Sequence, residues 1–441
     1  MSVRKTLLLA FALLVLPLTA RADDWPQWMG PKRDNVWSET GILEKFPKDG
    51  PKVLWRAPVA GGYAGPAVVG DKVYVTDRVL AKGEANPDDP FDIKDKVKST
   101  ERVLCLDAKT GKELWKHEYD CPYQISYPSG PRCTPVVNDG KVYTLGAMGN
   151  FICFEADTGK VLWQKDFLKD YKTKPALWGY ASHPLIDGKK IVTLVGGEGS
   201  HVVAFDKDTG KELWKAGNMP ETGYSPVMIT EAGGKRQLIA CAPKAVYSVN
   251  PETGEQYWTT PFSPNDFGYA VMTPMRVGDH LFVAGYPAKN LLVKLTADKP
   301  GVEVVFNNKK ATAVYPGAVQ PFLQDGLVCG YDDSGTMYAV ELPSGKRVWE
   351  DVGPVGGEEP KPSATAFITK NGDRFFFFAE TGHLVIGKLT KTGYEEIDRA
   401  KVIDQTGAAF GRKVVWSAPA YADKKAFIRN DKEIICVDLA K

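Results

Sequence analysis

Side chains able to do chemistry are few in this chain, and most of them are scattered. Seven cysteines and five histidines occur in 441 residues. A zinc site needs such residues in short-spaced pairs, and a nucleophile needs a partner base within a recognisable local motif. Neither pattern occurs, so no catalytic residue and no metal ligand is assigned. The acidic stretch NPDDPFDIKD (86–95) lacks the glycine and the closing glutamate of an EF-hand loop and reads as a solvated loop. Cys121 and Cys133 flank the loop CPYQISYPSGPRC. In an oxidising compartment a structural disulfide between them and two separate thiols are both compatible with that spacing. One set does gather. Tyr63, Arg132, Trp178, Tyr180, His183, Tyr224, Tyr269, Tyr315 and Trp416 each fall at or just before the start of a recurring segment. Rings mixed with an arginine and a histidine can bind a sugar, a quinone or a peptide segment, or can simply pack one another.

The elements that would position this set are repeats. The signature Asp-x-x-Thr-Gly-Lys-x-x-Trp recurs in VLCLDAKTGKELW (Val103–Trp115), FICFEADTGKVLW (Phe151–Trp163) and VVAFDKDTGKELW (Val202–Trp214). Weaker copies are VYSVNPETGEQYW (Val246–Trp258) and MYAVELPSGKRVW (Met337–Trp349). The period of about 45–50 residues accommodates four short strands and their turns. Within each copy an apolar strand runs into a tight Asp/Asn-opened, glycine-closed turn, and the chain returns on a Trp-bearing strand. Trp115, Trp163, Trp214, Trp258 and Trp349, together with Trp55, are expected to pack each unit on the next. Cys105, Cys153 and Cys436 align with Ala204, Ser248 and Ala339 and read as small core residues on third strands; Cys241 and Cys329 read likewise on second strands. His201 and His383 occupy equivalent turn-edge positions.

Upstream of each signature lies a second piece, clearest in GPAVVGDKVYV (Gly65–Val75), TPVVNDGKVY (Thr134–Tyr143) and HPLIDGKKIV (His183–Val192), with further copies at Ser225, Thr273, Gln320, Thr365 and Ala418. Pro66, Pro135, Pro184, Pro226, Pro274, Pro321 and Pro419 start this strand. Proline has no amide to donate, so it suits a sheet edge. These segments are therefore innermost strands facing a central channel, and eight of them predict an all-β, eight-bladed β-propeller of four-stranded antiparallel blades over residues 51–441. The last copy has no room for a fourth strand. KVLWRAP (Lys52–Pro58) supplies it from the N-terminal end and closes the ring. Residues 23–50 form an irregular strap, and residues 79–100 a charged loop projecting from the face that carries the rim aromatics.

Composition agrees with a large folded body: 43% hydrophobic and 25% charged residues, with a formal net charge of +2. Without a basic stripe the chain has little to offer a phosphate backbone, and nucleic acid is excluded as a partner. Residues 1–22 have the form of a cleavable signal peptide: Arg4 and Lys5, an apolar run from Leu7 to Leu18, and Ala20-Arg21-Ala22 before Asp23. The run is short for a membrane span and is broken by Pro17. A periplasmic or secreted protein without a transmembrane segment or lipid-bearing cysteine is expected.

These repeats resemble those of the pyrroloquinoline quinone (PQQ) repeat β-propeller superfamily over nearly the whole chain after the leader. DWPQWMGPKRDNVW (Asp24–Trp37) also resembles the start of secreted PQQ-like repeat proteins. The resemblance implies eight blades and, among activities, PQQ-dependent alcohol or sugar dehydrogenation with calcium, or the scaffolding role of a BamB-type assembly lipoprotein. The chain departs from the dehydrogenase pattern in lacking adjacent cysteines, and no cofactor residue is carried over. The reading is a noncatalytic binding or scaffolding propeller, with an envelope protein or a small ligand at its channel mouth. A quinoprotein dehydrogenase and a carbohydrate-binding propeller are the alternatives.

Overall fold

A computed structural model describes residues 23–441 apart from 220, 263–268, 288, 309–313 and 315–318. The expected leader (1–22) and Tyr315 therefore lie outside the described residues. The strands form eight antiparallel sheets, the blades of a closed ring, and a separate two-stranded hairpin. Inner strands are Ala67–Val69, Val136–Asn138, Leu185–Asp187, Met228–Ala232, Met275–Val277, Phe322–Gln324, Ala366–Asn371 and Ala420–Ala422, in blades 1 to 8. Each lies at an edge of its sheet, and all but that of blade 7 follow one of the seven prolines. In blade 5 the two-residue strand Tyr269–Ala270 also pairs with the second strand, His280–Tyr286. Blade 8 is completed as the sequence predicts: Val53–Pro58 pairs antiparallel with Glu433–Asp438, setting Trp55 opposite Cys436.

The turn chemistry explains why the blades repeat. Asp107 Oδ1 accepts from Thr110 N at 2.8 Å and Thr110 Oγ1 at 2.7 Å, while Gly111 N donates to Asp107 O at 2.8 Å. Asp206 and Thr209 repeat this arrangement. The turn glycine has a second duty. Gly159 has φ +70°, and a Cβ placed on it would stand 2.6 Å from the Trp115 ring of the preceding blade; at Gly210 the distance to Trp163 is 2.7 Å. Each indole lies flush on the neighbour's turn and donates its N–H to a carbonyl there: Trp55 to Ala108 (2.9 Å), Trp115 to Ala156 (2.9 Å), Trp163 to Lys207 (3.0 Å), Trp214 to Pro251 (3.0 Å) and Trp349 to Thr390 (3.1 Å). Trp258 differs. Its ring packs among blade 5 residues, but its N–H turns back to Gln237 Oε1 of its own blade at 2.7 Å. Blade 5 has Thr296-Ala297-Asp298 where blades 1 to 4 carry the Thr-Gly turn, so the usual seat is missing.

Residues 23–50 cross the ring and pair with the free edges of inner strands. Trp25 exchanges backbone hydrogen bonds with Val68 (2.8 and 2.9 Å), Pro26 O accepts from Val137 N (2.8 Å), and Trp37 N donates to Lys370 O (2.8 Å). Edges that would otherwise be open to foreign strands are covered in blades 1, 2 and 7. The strap thereby supplies a floor to one end of the channel.

The possible disulfide does not form. Cys121 packs with Tyr123, Ile125 and Ala147, its Sγ 3.7 Å from Asn150 Oδ1, whereas Cys133 belongs to the blade 2–3 core, its Sγ 3.8 Å from Tyr180 O. The intervening arch delivers the two thiols to different apolar clusters.

Two measurements test this packing. Trp163→Ala is expected to lower unfolding stability by about 3–5 kcal/mol, measured by chemical denaturation. His201 is fully buried, accepting from Tyr247 Oη at Nδ1 (2.6 Å) and donating from Nε2 to Thr222 O (2.9 Å), and burial pushes its pKa down to about 4. Between pH 6.5 and 4 the unfolded chain binds a proton at this site that the folded chain refuses, so stability falls as pH falls. The loss from this residue by pH 4.5 is about 2–3 kcal/mol and should be absent from the difference between pH 7 and 4.5 in His201→Gln.

Candidate functional site

The residues that precede the inner-strand prolines tie the blades together around the channel. Thr134 N donates to His183 Nδ1 at 3.0 Å, Ser182 Oγ to Ser225 O at 3.1 Å and Ser225 Oγ to Met272 O at 2.7 Å. Thr273 N donates to Gln320 Oε1 at 2.8 Å while Gln320 Nε2 donates back to Thr273 O at 3.1 Å, and Ser417 Oγ closes the ring on Ala64 O at 2.9 Å. Above this girdle lies a cavity of about 380 Å³.

Of the nine rim residues singled out in the sequence, Tyr63, Arg132, Trp178, His183, Tyr224 and Trp416 line this cavity. Tyr180 and Tyr269 do not. Tyr180 is buried in the blade 2–3 core, donating to Val195 O at 2.9 Å, and Tyr269 stands behind the wall, edge-on to Tyr224 at 5.0 Å and bonded to Glu221 Oε2 at 2.9 Å. Both stand near the start of their segments as the others do, but the Tyr180 ring turns into the blade 2–3 core and the Tyr269 ring packs behind Trp178 and Tyr224. Six further rings reach the cavity that the repeat grammar did not single out, Phe367 of the blade 7 inner strand among them. Trp28 rises from the strap and stacks in parallel on His183, centroids 4.3 Å apart. Phe91 comes from the charged loop and meets Tyr127 edge-on at 5.6 Å; Tyr286 ends the second strand of blade 5; and Phe410 tips the hairpin Gly407–Ala409/Arg412–Val414. Phe91 and Phe410 remain 52% and 53% exposed, which places them at the mouth.

Arg132 is the one cationic side chain lining the cavity among the described residues, His183 being held neutral by burial. Its guanidinium donates to three carbonyls, Gly130 (2.5 Å), Ser126 (2.9 Å) and Tyr127 (2.7 Å), and lies 5.1 Å from the Tyr63 ring centroid. Burial lifts the Tyr63 phenol to about 12 in spite of this cation, so it stays protonated. Trp416 is fixed by Glu380, whose buried carboxylate accepts from Trp416 Nε1 at 2.9 Å and from Arg412 Nε at 2.7 Å. Behind the wall Glu101 accepts from Ala147 N at 3.0 Å and from the phenols of Tyr119 and Tyr123; its pKa is raised by desolvation. Arg78 lies 4.2 Å over the Tyr123 ring and bonds Ser99 Oγ (2.7 Å), Asn86 Oδ1 (2.6 Å) and Pro128 O. This network anchors the segments that carry Phe91 and Tyr127 to the mouth.

Fold and repeats together define a β-propeller of the PQQ-like class. Residues 99–351 match the family described as outer membrane protein assembly factor BamB, and the chain belongs to that family. It is 26% identical over 317 residues to the outer membrane protein assembly factor BamB of Burkholderia pseudomallei (strain K96243), spanning 68% of each chain. Among solved structures, BamB from Moraxella catarrhalis is similar in fold (TM-score 0.51, 14% identity, 87% of this chain and 97% of that one). So is the quinohemoprotein alcohol dehydrogenase from Comamonas testosteroni (TM-score 0.61, 15% identity, 96% of this chain and 82% of that one).

The calcium that the repeat resemblance implies beside a quinone is a hard cation that takes six to eight oxygens, carboxylates prominent among them. Among the described residues no carboxylate lines the cavity, the Gln320 amide is committed at both ends, and no three of His, Cys, Asp and Glu converge. The donor set does not fit a calcium-bound quinone.

Because Thr134 N–H occupies Nδ1, His183 carries its proton on Nε2. Nitrogen-15 NMR should find that tautomer with no protonation step near pH 6.5, and a histidine titrating at its ordinary value would contradict the girdle geometry.

Proposed function

We propose that this chain is a noncatalytic binding and scaffolding propeller of the cell envelope, which uses the aromatic mouth of its channel to hold a ligand or a segment of a partner. The observation that carries the reading is the composition of the cavity wall: rings around a single arginine, with no carboxylate and no thiol among the described lining residues. Such a wall offers contact area and orientation but no acid–base pair. The sequence supports export, through the leader at 1–22, and the described residues include no helix long and apolar enough to cross a membrane. The relatives' name, assembly factor, supports a protein partner in the envelope. The propeller itself, residues 51–441, is read as one domain with the strap 23–50 as its appendage.

A quinoprotein dehydrogenase is the second reading, favoured by the extent of the structural likeness to the Comamonas testosteroni enzyme. The two are separated by mixing the full chain with PQQ and calcium, recording the quinone spectrum, and following dye-linked oxidation over a panel of alcohols and sugars. No spectral change and no turnover are expected; sustained turnover overturns the scaffold reading. Retention on a glycan array that Tyr224→Ala abolishes would instead assign carbohydrate capture to the same mouth.

A further inference from the structure

We propose that the cavity above the girdle takes a planar aromatic monocarboxylate, its rings among Trp28, Trp178, Tyr224 and Trp416 and its carboxylate on Arg132. This rests on the reading of the cavity as a noncatalytic binding site and names the chemistry of what it binds.

An arginine is usually satisfied by a carboxylate, which meets its planar fork with two charge-assisted hydrogen bonds. Arg132 has three carbonyl oxygens instead. Carbonyls accept its N–H groups without cancelling its charge, and three bonds leave two of its five donors unassigned. The nearby acid, Glu101, already accepts from two phenols and an amide, and burial favours its neutral form. A guanidinium in an aromatic cavity therefore faces no paired anion. Trp28 Nε1 is buried within the floor, out of contact with the open cavity. The guanidinium donates only, so the ligand it matches supplies acceptors.

The remaining polar side chains narrow the class. Tyr224 Oη accepts from Trp178 N at 3.2 Å, Trp416 Nε1 is spent on Glu380, His183 Nδ1 on Thr134 N, and both ends of Gln320 on Thr273. Tyr127 and Tyr286 also bring hydroxyls to the wall, so it is the uncancelled charge of Arg132, and not a lack of hydroxyl partners, that favours an anion over a neutral sugar. The body of the ligand must be apolar and flat, and about 380 Å³ admits a fused or conjugated ring system. With one cation in the described wall and no carboxylates to hold a bridging calcium, a single negative charge is matched, whereas the three carboxylates of PQQ are not.

Calorimetric titration of the full chain with 2-naphthoate, with its neutral isostere 2-naphthamide, and with PQQ in the presence and absence of calcium tests the proposal. Naphthoate should bind at least tenfold more tightly than naphthamide and than PQQ under either condition. Arg132→Gln should weaken naphthoate at least tenfold and leave naphthamide unchanged, while Trp178→Leu should weaken both probes. Arg132 also holds the 126–130 arch, so circular dichroism and thermal unfolding accompany that variant. If it fails to fold, the ratio of the two probes on the wild type and on Trp178→Leu still decides. Equal binding of the acid and the amide overturns the carboxylate assignment and leaves the binding reading standing. PQQ binding that requires calcium assigns the cavity to the quinone and overturns the monoanion. Heat from none of the probes overturns the binding reading of the cavity itself.

Discussion

A tryptophan seated on its neighbour's turn glycine is the contact on which this propeller depends. The indole fits because the glycine carries no Cβ, and the same turn presents a carbonyl to the indole N–H. Apolar area, ring packing and one directional hydrogen bond thus act at a single point, which sets the rotation between successive blades as well as their adhesion. The junction between blades 8 and 1 uses the same device, Trp55 on Gly111. Ring closure adds to it the one long-range step, the pairing of Val53–Pro58 with Glu433–Asp438 that carries Trp55 into blade 8.

Where the device is absent, something else is found in its place. The outer strand of blade 5 sets Phe306 across from Leu292, and that of blade 7 sets Asp398 across from Ile386, in the register where other blades set tryptophan. At blade 7 the strap compensates: Phe46 N donates to Asp398 Oδ2 at 2.7 Å, and Ile42, Leu43 and Phe46 pack into the blade 7–8 core. The segment that floors the channel is thus also the segment that packs a seam lacking the tryptophan. A structural duty and the shape of the cavity are tied to the same residues.

The girdle imposes a comparable coupling on the site. The residues before the inner-strand prolines bond blade to blade, so His183 Nδ1 and both ends of the Gln320 amide are spent on the ring. What remains for recognition is the flat faces of the aromatic residues, the hydroxyls of Tyr127 and Tyr286, and the guanidinium of Arg132. Buried acids, Glu101 and Glu380, stand just behind this wall and act on it through the tyrosines, the tryptophan and the loops they hold. Rigidity of the wall is set from behind, and its face is left apolar.

The architecture was legible in the amino-acid order because each blade is specified locally: Asp and Thr make the turn, glycine admits the ring, proline marks the edge, and the pattern is written out again about every 45–50 residues. Six of the nine rim residues were legible for the same reason, since a fixed place in a repeat becomes a fixed place around an axis. The direction in which each ring turns was not: Tyr180 and Tyr269, like Tyr63 and Tyr224, come shortly before an inner-strand proline, but Tyr180 enters the blade 2–3 core and Tyr269 packs behind Tyr224. Nor could the repeats announce Trp28, Phe91 or Phe410, which come from a strap, an insertion and an interblade hairpin. Periodicity determines where backbone goes. Which side chains meet across the axis, whether Cys121 and Cys133 face each other, and which charges are left without a partner depend on contacts between residues far apart in the chain, and only the closed ring decides those.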